Sequence, residues 1–387
     1  MLRCEVEQIR QKAATPVVHV ISDAGPHPYF RTLIEAGGLD PCSVVVGCVG
    51  PAGPLQTDMR QLGVATFALD ARSRADYPAT TVRLARFLRR ERASVVQSHL
   101  VDGSLVGLAA ARLASVPVSV FTAHHSHELP IHGRKLVWSD RLCAGPLCDH
   151  VIAPSQQLAD VLVQFTGVDR GKIAVVPHGF DLGRLNPAEV DGSRVRAELG
   201  LGDGLVLGAI GRIYALKNYE ALIRAFSAAG GAVDDAKLVI VGRGDVESLR
   251  VVAAEFGIAD RVLFPGPRSD VPQLLAAFDA FLHPAVVESF GMVIIEAMAM
   301  ARPVLSTPVG IAPEVIRTGI TGVLCAGHTQ HSLVEGLQTL MGLRSSWGRI
   351  GSTARARVAG FTAKAMAGRY VELYDEWVAR DPSQPVA

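Results

Sequence analysis

The chain has 387 residues, of which 49% are hydrophobic and 19% are charged, and its formal net charge at pH 7 is +1. This length indicates two or three domains, and this composition is sufficient for well-buried cores. The near-zero net charge gives no overall attraction to nucleic acid, so we expect no nucleic-acid partner. Six scattered cysteines without a Cys-x-x-Cys pair argue against a zinc site or a disulfide framework.

Targeting and membrane-spanning patterns are missing from the sequence. The first 16 residues carry charges throughout and lack the apolar core of a signal peptide. No span of 18 apolar residues free of charge occurs elsewhere. We therefore expect a cytoplasmic protein.

Short β-branched runs alternate with helical patterns along the chain, which predicts parallel sheets covered by helices on both faces. In the first half, strands are predicted over 17–22, 43–49, 64–69, 94–98, 117–122, 150–153 and 172–176, and helices over 80–92, 102–114 and 155–166. In the second half, strands are predicted over 205–210, 237–241, 261–264, 280–282, 303–306 and 322–324. The expected fold class is α/β.

A break in this alternation marks a domain boundary. Pro177 and Gly179 interrupt the periodicity just before a polar segment. We predict one α/β domain over residues 1–180 and a second over 181–361. The last segment, Thr362 to Arg380, has the pattern of an amphipathic helix.

The most informative stretch follows the predicted strand 280–282 and reads Glu-Ser-Phe-Gly-Met-Val-Ile-Ile-Glu at positions 288–296. Gly291 allows a close backbone turn, and the N–H groups at the start of the next helix form a socket for an anion. The carboxylates of Glu288 and Glu296 are poor neighbours for bare phosphate but good acceptors for vicinal hydroxyls. A nucleotide sugar combines both kinds of group.

A second strand-to-helix joint carries two cations. Gly211 ends the predicted strand 205–210, and Arg212 and Lys217 follow it beside a helix start. Cations at such a position hold a diphosphate from several directions. The alternative is a pair of solvated surface cations.

These motifs resemble the signature of the retaining glycosyltransferases of family 4 (group 1). The resemblance lies in two glutamates around a Phe-Gly, in Glu-Ala-Met-Ala from Glu296, and in Pro303-Val304 after Arg302. It implies a GT-B fold, in which two Rossmann-like doubly wound domains face each other across a cleft and a last helix, about 362–380, crosses back to the first domain. The alternative is an amphipathic helix start that happens to contain two glutamates.

The resemblance also assigns roles to residues of the second half. Arg212 and Lys217 would hold the donor diphosphate, Glu296 the ribose hydroxyls and Glu288 the transferred sugar. The remaining donor contacts would come from Gly211, Phe290, Gly291, Met292 and, against the base, Arg268. The implied donor is a UDP- or GDP-linked sugar, and no cofactor or metal is expected.

In the first half, the resemblance places His124 against the sugar and the acceptor. His125, His127 and Glu128 nearby also invite a metal site, but too few ligands are assigned for one. The alternative for His124 is a structural, half-buried histidine.

The first loop departs from the family pattern. A Gly-Gly turn is expected there, whereas this chain has Asp23-Ala24-Gly25-Pro26-His27-Pro28. Two prolines remove N–H donors and stiffen the loop, while Gly25 still permits close approach to a ligand. The acceptor therefore stays open between a glycan, a lipid-linked sugar and a small metabolite.

The segment Thr80–Arg92 combines five arginines with apolar residues, a pattern that suits contact with an anionic membrane. A solvated outer face is the alternative.

We expect a front-face displacement with retention of configuration, in which the departing phosphate takes the acceptor proton. Two rivals remain: an epimerase or hydrolase acting on a nucleotide sugar with the same fold, and a non-catalytic nucleotide-sugar-binding protein.

Overall fold

A computed structural model of the chain describes residues 16–124 and 134–380. In the first half, seven parallel strands pair in the order β3-β2-β1-β4-β5-β6-β7. These strands are β1 Val17–Ile21, β2 Val44–Cys48, β3 Ala65–Ala68, β4 Val95–His99, β5 Val118–Thr122, β6 His150–Ala153 and β7 Ile173–Val175. The helices beside them are α1 Pro28–Arg31, α2 Pro54–Gln61, α3 Tyr77–Glu91, α4 Val101–Ala114, α5 Arg134–Ala144 and α6 Gln156–Thr166.

In the second half, six parallel strands pair in the order β10-β9-β8-β11-β12-β13. They are β8 Leu205–Ile210, β9 Ala236–Val241, β10 Val262–Gly266, β11 Ala280–His283, β12 Val304–Ser306 and β13 Val323–Leu324. The helices are α7 Ser193–Glu198, α8 Tyr219–Ala228, α9 Val246–Glu255, α10 Val271–Ala277, α11 Met292–Ala299, α12 Ala312–Val315, α13 Gln330–Gly342 and α14 Trp347–Val358. The predicted α/β architecture with two doubly wound parallel sheets is confirmed.

Several strands of the first sheet are fully buried because helices cover both of its faces. Every residue of β2, β4 and β5 is buried, and these strands are rich in valine. β-branched side chains pack well on such a doubly covered pleated surface, and their burial is the main favourable term in folding.

The contacts divide the chain into two compact units. Unit 1 contains the residues up to Phe180 and those from Thr362 onward, and unit 2 contains Asp181–Phe361. The chain therefore leaves unit 1 after the first sheet and returns to it for a final helix, α15 Ala363–Ala379.

Helix α15 is bound to unit 1 by main-chain and aromatic contacts. Ala363 N donates to Phe180 O at 2.9 Å, and the hydroxyl of Tyr374 donates to Gln97 in β4. The ring of Trp377 stacks on His150, with the ring centroids 4.1 Å apart. The amphipathic face predicted from the sequence is thus buried against the first sheet.

The strand order fixes where ligands are expected in each unit. The direction of strand succession reverses between β1 and β4 in unit 1 and between β8 and β11 in unit 2. In open parallel sheets, the loops at the carboxyl ends of the strands on either side of such a reversal form a crevice. Gly211 follows β8, and the Glu288 loop follows β11, so both donor motifs lie at the reversal in unit 2.

Helix α3 carries the basic pattern that suggested a membrane contact. Its apolar residues Leu84 and Leu88 are buried in the core of unit 1. Arg83 donates to Leu69 O at 2.7 Å, and Arg89 donates to Leu113 O. Val82 of the same helix is 39% exposed, so part of its apolar pattern stays accessible and the membrane contact stays a prediction. Among the described residues, no helix is long and apolar enough to cross a bilayer.

The turn after α11 holds Ala301 in the left-handed region, with a φ of +53°. This conformation is unfavourable for a residue with a Cβ and open to glycine. We expect Ala301→Gly to raise the free energy of unfolding by roughly 1 kcal/mol, because the relief of strain exceeds the entropy lost on folding a glycine. Urea denaturation measures this change.

A matched substitution controls for the general effect of glycine. Ala228 is exposed at the end of α8, and its replacement by glycine should lower the free energy of unfolding by roughly 0.5–1 kcal/mol. Equal losses in both variants would contradict the strain at Ala301.

Candidate functional site

The loop after β8 packs against the loop after β9 with backbone on backbone. Gly211 N donates to Val241 O at 2.9 Å, and Ile213 N donates to Arg243 O at 2.7 Å. A Cβ on Gly242 would lie 1.8 Å from the carbonyl oxygen of Gly211, so only glycine fits there. Arg212 projects from this rigid loop, where it is exposed and its guanidinium carbon lies 5.1 Å from the centre of the Tyr214 ring.

An ion pair joins the two donor motifs predicted from the sequence. Lys217 Nζ contacts Glu288 Oε2, and the two side chains are only 14% and 18% exposed. A main-chain hydrogen bond of 2.9 Å from Val286 N to Leu216 O holds the same loops together. The structure therefore brings Lys217 and Glu288 into contact across 71 positions of sequence.

Glu288 is partly buried, yet it stays ionised. Burial raises its pKa, but the contact with His283 and the positive charge of Lys217 outweigh this effect and bring the pKa to about 2. His283 ends β11, and its Nε2 lies 3.5 Å from Glu288 Oε2. Burial lowers the pKa of His283, so the charge that balances Glu288 comes from Lys217.

Helix α11 begins at a turn that only glycine adopts easily. Gly291 has a φ of +87° and caps the helix, and its carbonyl accepts a 2.9 Å hydrogen bond from Ile294 N. Phe290 is buried, and its carbonyl accepts a hydrogen bond from Ile311 N at 2.8 Å. Met292, at the first helical position, is about half exposed at 49%.

Glu296 lies in the second turn of α11 and differs from Glu288 in its surroundings. It is partly buried, and within residues 16–124 and 134–380 no hydrogen bond or ion pair to its carboxyl group is found, although its backbone carbonyl accepts from Met300 N at 3.0 Å. Burial raises the pKa of Glu296 to about 7. A carboxyl group without a partner in such a position is suited to accept hydrogen bonds from two hydroxyls of a ligand.

Arg268 is engaged by carboxylates of unit 2. Its guanidinium contacts Asp270 and Glu198, each at 2.6 Å, and these hydrogen bonds raise its pKa. The side chain is 17% exposed. A base would have to stack on the plane of this guanidinium, because two carboxylates already occupy its edge.

In unit 1, the first loop is organised by Asp23 and not by a pair of glycines. Gly25 N donates to Asp23 Oδ1 at 2.8 Å, and His27 Nε2 lies 3.4 Å from the same oxygen. Pro28 begins helix α1. The stiffening of this loop by proline and the ligand contact at Gly25 both stay predictions.

His124 follows β5 and is one of several histidines near the carboxyl ends of the first sheet. It borders a cavity of about 250 Å³ lined by Ile21, His27, Tyr29, Phe30, His99, Leu100 and His124. Its Nε2 lies 2.9 Å from His99 Nδ1, and its ring is parallel to that of His178, with the centroids 6.0 Å apart. Tyr29 donates its hydroxyl hydrogen to Tyr370 of α15 at 2.8 Å, so the final helix supports this cavity.

The sequence interpretation missed several residues that shape these sites. In unit 2 they are His283, beside Glu288, and Asn218, whose Nδ2 donates to Pro284 O at 3.0 Å and to His328 O at 2.9 Å. In unit 1 they are His19 and His99. The available signal was a histidine within or directly after three predicted strands, where an apolar residue would otherwise be expected.

A metal site near His124 was the alternative suggested by the sequence. Among the described residues, no group of three or more His, Cys, Asp or Glu side chains is arranged to hold a metal ion. His125, His127 and Glu128 lie outside the described residues.

Two family models match the chain, one on each half. The model described as "Glycosyl transferases group 1" matches residues 193–357, and "Glycosyltransferase Family 4" matches residues 25–184. Among curated proteins, the D-inositol 3-phosphate glycosyltransferase of Salinispora arenicola is 30% identical over 74% of this chain and 69% of its own length. The protein of the same name from Nocardia farcinica is 37% identical over 58% of this chain, and the match spans about half, 52%, of that relative.

Solved structures share the fold at low sequence identity. Anabaena HepE in complex with UDP and glucose aligns with a TM-score of 0.80 and 22% identity, over 94% of this chain and 100% of that one. Sucrose-phosphate synthase from Thermosynechococcus elongatus aligns with a TM-score of 0.73 and 19% identity, over 94% and 99% of the two chains. Both similarities concern the architecture.

The raised pKa of Glu296 predicts a pH-dependent effect on stability. The folded carboxyl titrates near 7 and the unfolded one near 4.5, so the folded state binds more protons between these values. Ionised Glu296 therefore destabilises the fold above about pH 7, and this effect fades as the pH falls to about 4.5. At pH 8 we expect Glu296→Gln to be more stable than the parent. This gain in the free energy of unfolding should be roughly 2 kcal/mol larger than the gain at pH 4.5.

Urea denaturation of both proteins at the two pH values measures the difference. Glu255→Gln, at an exposed position at the end of α9, is the control for replacing a glutamate. A stability difference between Glu296→Gln and the parent that does not change with pH would contradict the burial of an ionised carboxyl.

Proposed function

Because this chain belongs to the group 1 glycosyltransferases of family 4, we propose that it transfers a sugar from a nucleoside diphosphate sugar to a hydroxyl group of an acceptor. The single observation that carries the proposal is the ion pair of Lys217 with Glu288, which joins both donor motifs at the strand-order reversal of unit 2. The donor is UDP- or GDP-linked, and its configuration at the anomeric carbon is retained.

The charges of unit 2 suit the parts of such a donor. Arg212 and Lys217 would hold the diphosphate, together with the backbone N–H groups at Gly211 and at the start of α11. Glu288, ionised and next to Lys217, would accept hydrogen bonds from the transferred sugar. Glu296 would accept hydrogen bonds from the ribose hydroxyls. Its carboxyl group has no other partner among the described residues.

The ion pair also has a role in the reaction. As the bond from the sugar to the phosphate breaks, negative charge develops on the departing diphosphate, and Lys217 and Arg212 stabilise it. The acceptor oxygen bonds to the same face of the anomeric carbon, and its proton passes to the oxygen of the departing phosphate. Arg212, Lys217 and the helix start supply positive charge, so we propose a reaction that needs no metal ion.

The acceptor is proposed from the relatives and from unit 1. The curated relatives are named D-inositol 3-phosphate glycosyltransferases, so a phosphorylated cyclic polyol is the first acceptor to test. His124 would contact the sugar and the acceptor, and Gly25 would approach the ligand from the first loop. The cytoplasmic location and a membrane contact through residues 80–92 stay predictions.

We expect a donor of the correct base to raise the melting temperature of the protein, because a ligand that binds the native state stabilises it by mass action. The panel is UDP, GDP, UDP-glucose, UDP-N-acetylglucosamine and GDP-mannose, with and without D-inositol 3-phosphate. Transfer is followed by mass spectrometry, and NMR of the product reports the anomeric configuration.

Three outcomes would contradict the proposal. Consumption of the donor without an acceptor would indicate a hydrolase or an epimerase. Binding without turnover for any acceptor class would favour a non-catalytic protein. Loss of activity in EDTA, with rescue by a divalent ion, would overturn metal independence.

The two glutamates should fail differently. Glu296 is assigned to the ribose, so Glu296→Gln should weaken the binding of both the nucleotide sugar and the bare nucleoside diphosphate by roughly tenfold or more. Glu288 is assigned to the moiety that is transferred, so Glu288→Gln should keep its affinity for the diphosphate and lose turnover. Calorimetric titration with the diphosphate separates the two effects.

Glu255→Gln is again the control and should bind as the parent does. If Glu288→Gln loses the diphosphate while Glu296→Gln keeps it, the assigned orientation of the donor is reversed.

A further inference from the structure

Three histidines of unit 1 form a row of hydrogen bonds behind the cavity at His124. His19 Nδ1 lies 3.0 Å from His99 Nε2, and His99 Nδ1 lies 2.9 Å from His124 Nε2. Successive rings are nearly parallel, with interplanar angles of 23° and 28°. His19 and His99 are fully buried, whereas His124 is partly exposed, and both His99 and His124 line the cavity.

The two distances between ring nitrogens are hydrogen-bond distances, so the protons of the three rings must be arranged in one consistent order. A neutral imidazole carries one proton, and a hydrogen bond between two ring nitrogens needs one protonated and one bare nitrogen. His99 uses both of its nitrogens, so it donates to one neighbour and accepts from the other. The N–H groups therefore point along the row either toward His124 or toward His19.

The burial of His19, at one end of the row, favours one of these two directions for the N–H groups. His19 Nε2 is buried without a hydrogen-bond partner among the described residues. If the N–H groups pointed toward His19, this atom would be a buried donor without an acceptor, which is rarer in proteins than an unpaired acceptor. The favourable direction runs from His19 Nδ1–H to His99 Nε2, and from His99 Nδ1–H to His124 Nε2.

The surroundings keep the inner two rings neutral. Burial lowers the pKa of His19 to about 3 and lowers the pKa of His99 well below its usual range. The ring of Phe30 packs edge-on against both, with centroids 5.5 and 5.3 Å away. No carboxylate is found in hydrogen bonds to either ring within the described ranges, so nothing there favours an imidazolium.

We propose that His99, supported by His19, is a positioning residue that holds His124 in the tautomer with its proton on Nδ1. In this tautomer His124 Nε2 accepts from His99, and Nδ1–H is the group that His124 can donate.

This inference rests on the proposed glycosyl transfer and specifies the direction of the hydrogen bond between His124 and the substrate. His124 donates a hydrogen bond to an oxygen of the sugar or the acceptor, and it does not remove the acceptor proton. That proton is then left to the departing phosphate, as the front-face displacement requires. His124 touches substrate, whereas His99 and His19 act through it.

The tautomer can be measured on the full chain without any substrate. Long-range ¹H–¹⁵N correlation spectra of the ¹⁵N-histidine-labelled protein distinguish Nδ1–H, Nε2–H and imidazolium forms. We expect His124 as the Nδ1–H form at pH 7.5, and His19 and His99 as single neutral tautomers from pH 5.5 to 8. A His124 in the Nε2–H form would overturn the proposal.

Two substitutions at position 99 separate positioning from packing. His99→Leu removes the donor to His124, so the spectrum of His124 should shift toward the Nε2–H form and kcat should fall roughly tenfold with an unchanged KM for the donor. His99→Gln keeps an N–H donor toward His124 and a carbonyl acceptor toward His19, so it should recover the Nδ1–H form and most of kcat. Equal effects of the two variants on the tautomer would contradict the proposal.

The control is His150→Gln, which removes a partly buried histidine of the same unit outside the row and should change neither the tautomer of His124 nor kcat. If His99→Leu does not fold, the parent spectrum and His99→Gln decide the question. If no donor supports transfer, the proposed function fails, while the spectra still determine which nitrogen of His124 is protonated.

Discussion

The parallel pairing of strands is the constraint on which the rest of this structure depends. Parallel strands direct all their carboxyl ends to one edge of the sheet, and each strand is followed there by a loop and a helix start. The reversal of strand order between β8 and β11 leaves the two adjacent loops without a crossing helix between them. Lys217 and Glu288 can meet only because this topology places their loops side by side.

Backbone packing then holds these loops in place, so that their charged side chains lie close enough to interact. The carbonyl oxygen of Gly211 occupies the space of a side chain at Gly242, and Phe290 O is hydrogen-bonded to Ile311 N. Within this frame, two glutamates of one motif have opposite properties. Both are partly buried, but Glu288 lies beside a cation and has a pKa of about 2, whereas Glu296 has no charged partner among the described residues and has a pKa of about 7. Such divergent environments for similar groups are typical of functional sites.

Unit 1 uses the same topology with different chemistry. Histidines from β1, from the end of β4 and from the loop after β5 take the place of a charged pair, and hydrogen bonds link their ring nitrogens. Tyr29 contacts this row through the edges of its ring and donates to Tyr370 of α15. The last helix therefore contributes to the cavity of unit 1 as well as to the stability of its sheet.

The sequence by itself determined the elements, the α/β class and the donor motifs. Strand and helix periodicities are local, so runs such as 205–210 and 280–282 predicted β8 and β11 to within a residue or two. Glu288 and Lys217 could be singled out because each lies beside a glycine turn. The tertiary structure alone decided that Lys217 contacts Glu288, that Leu84 and Leu88 of α3 pack into the core, and that Arg268 is engaged by two carboxylates. It also assembled His19, His99 and His124, which lie 80 and 25 positions apart. Such contacts depend on strand order and on burial, which are properties of the whole sheet and leave no local pattern in the sequence.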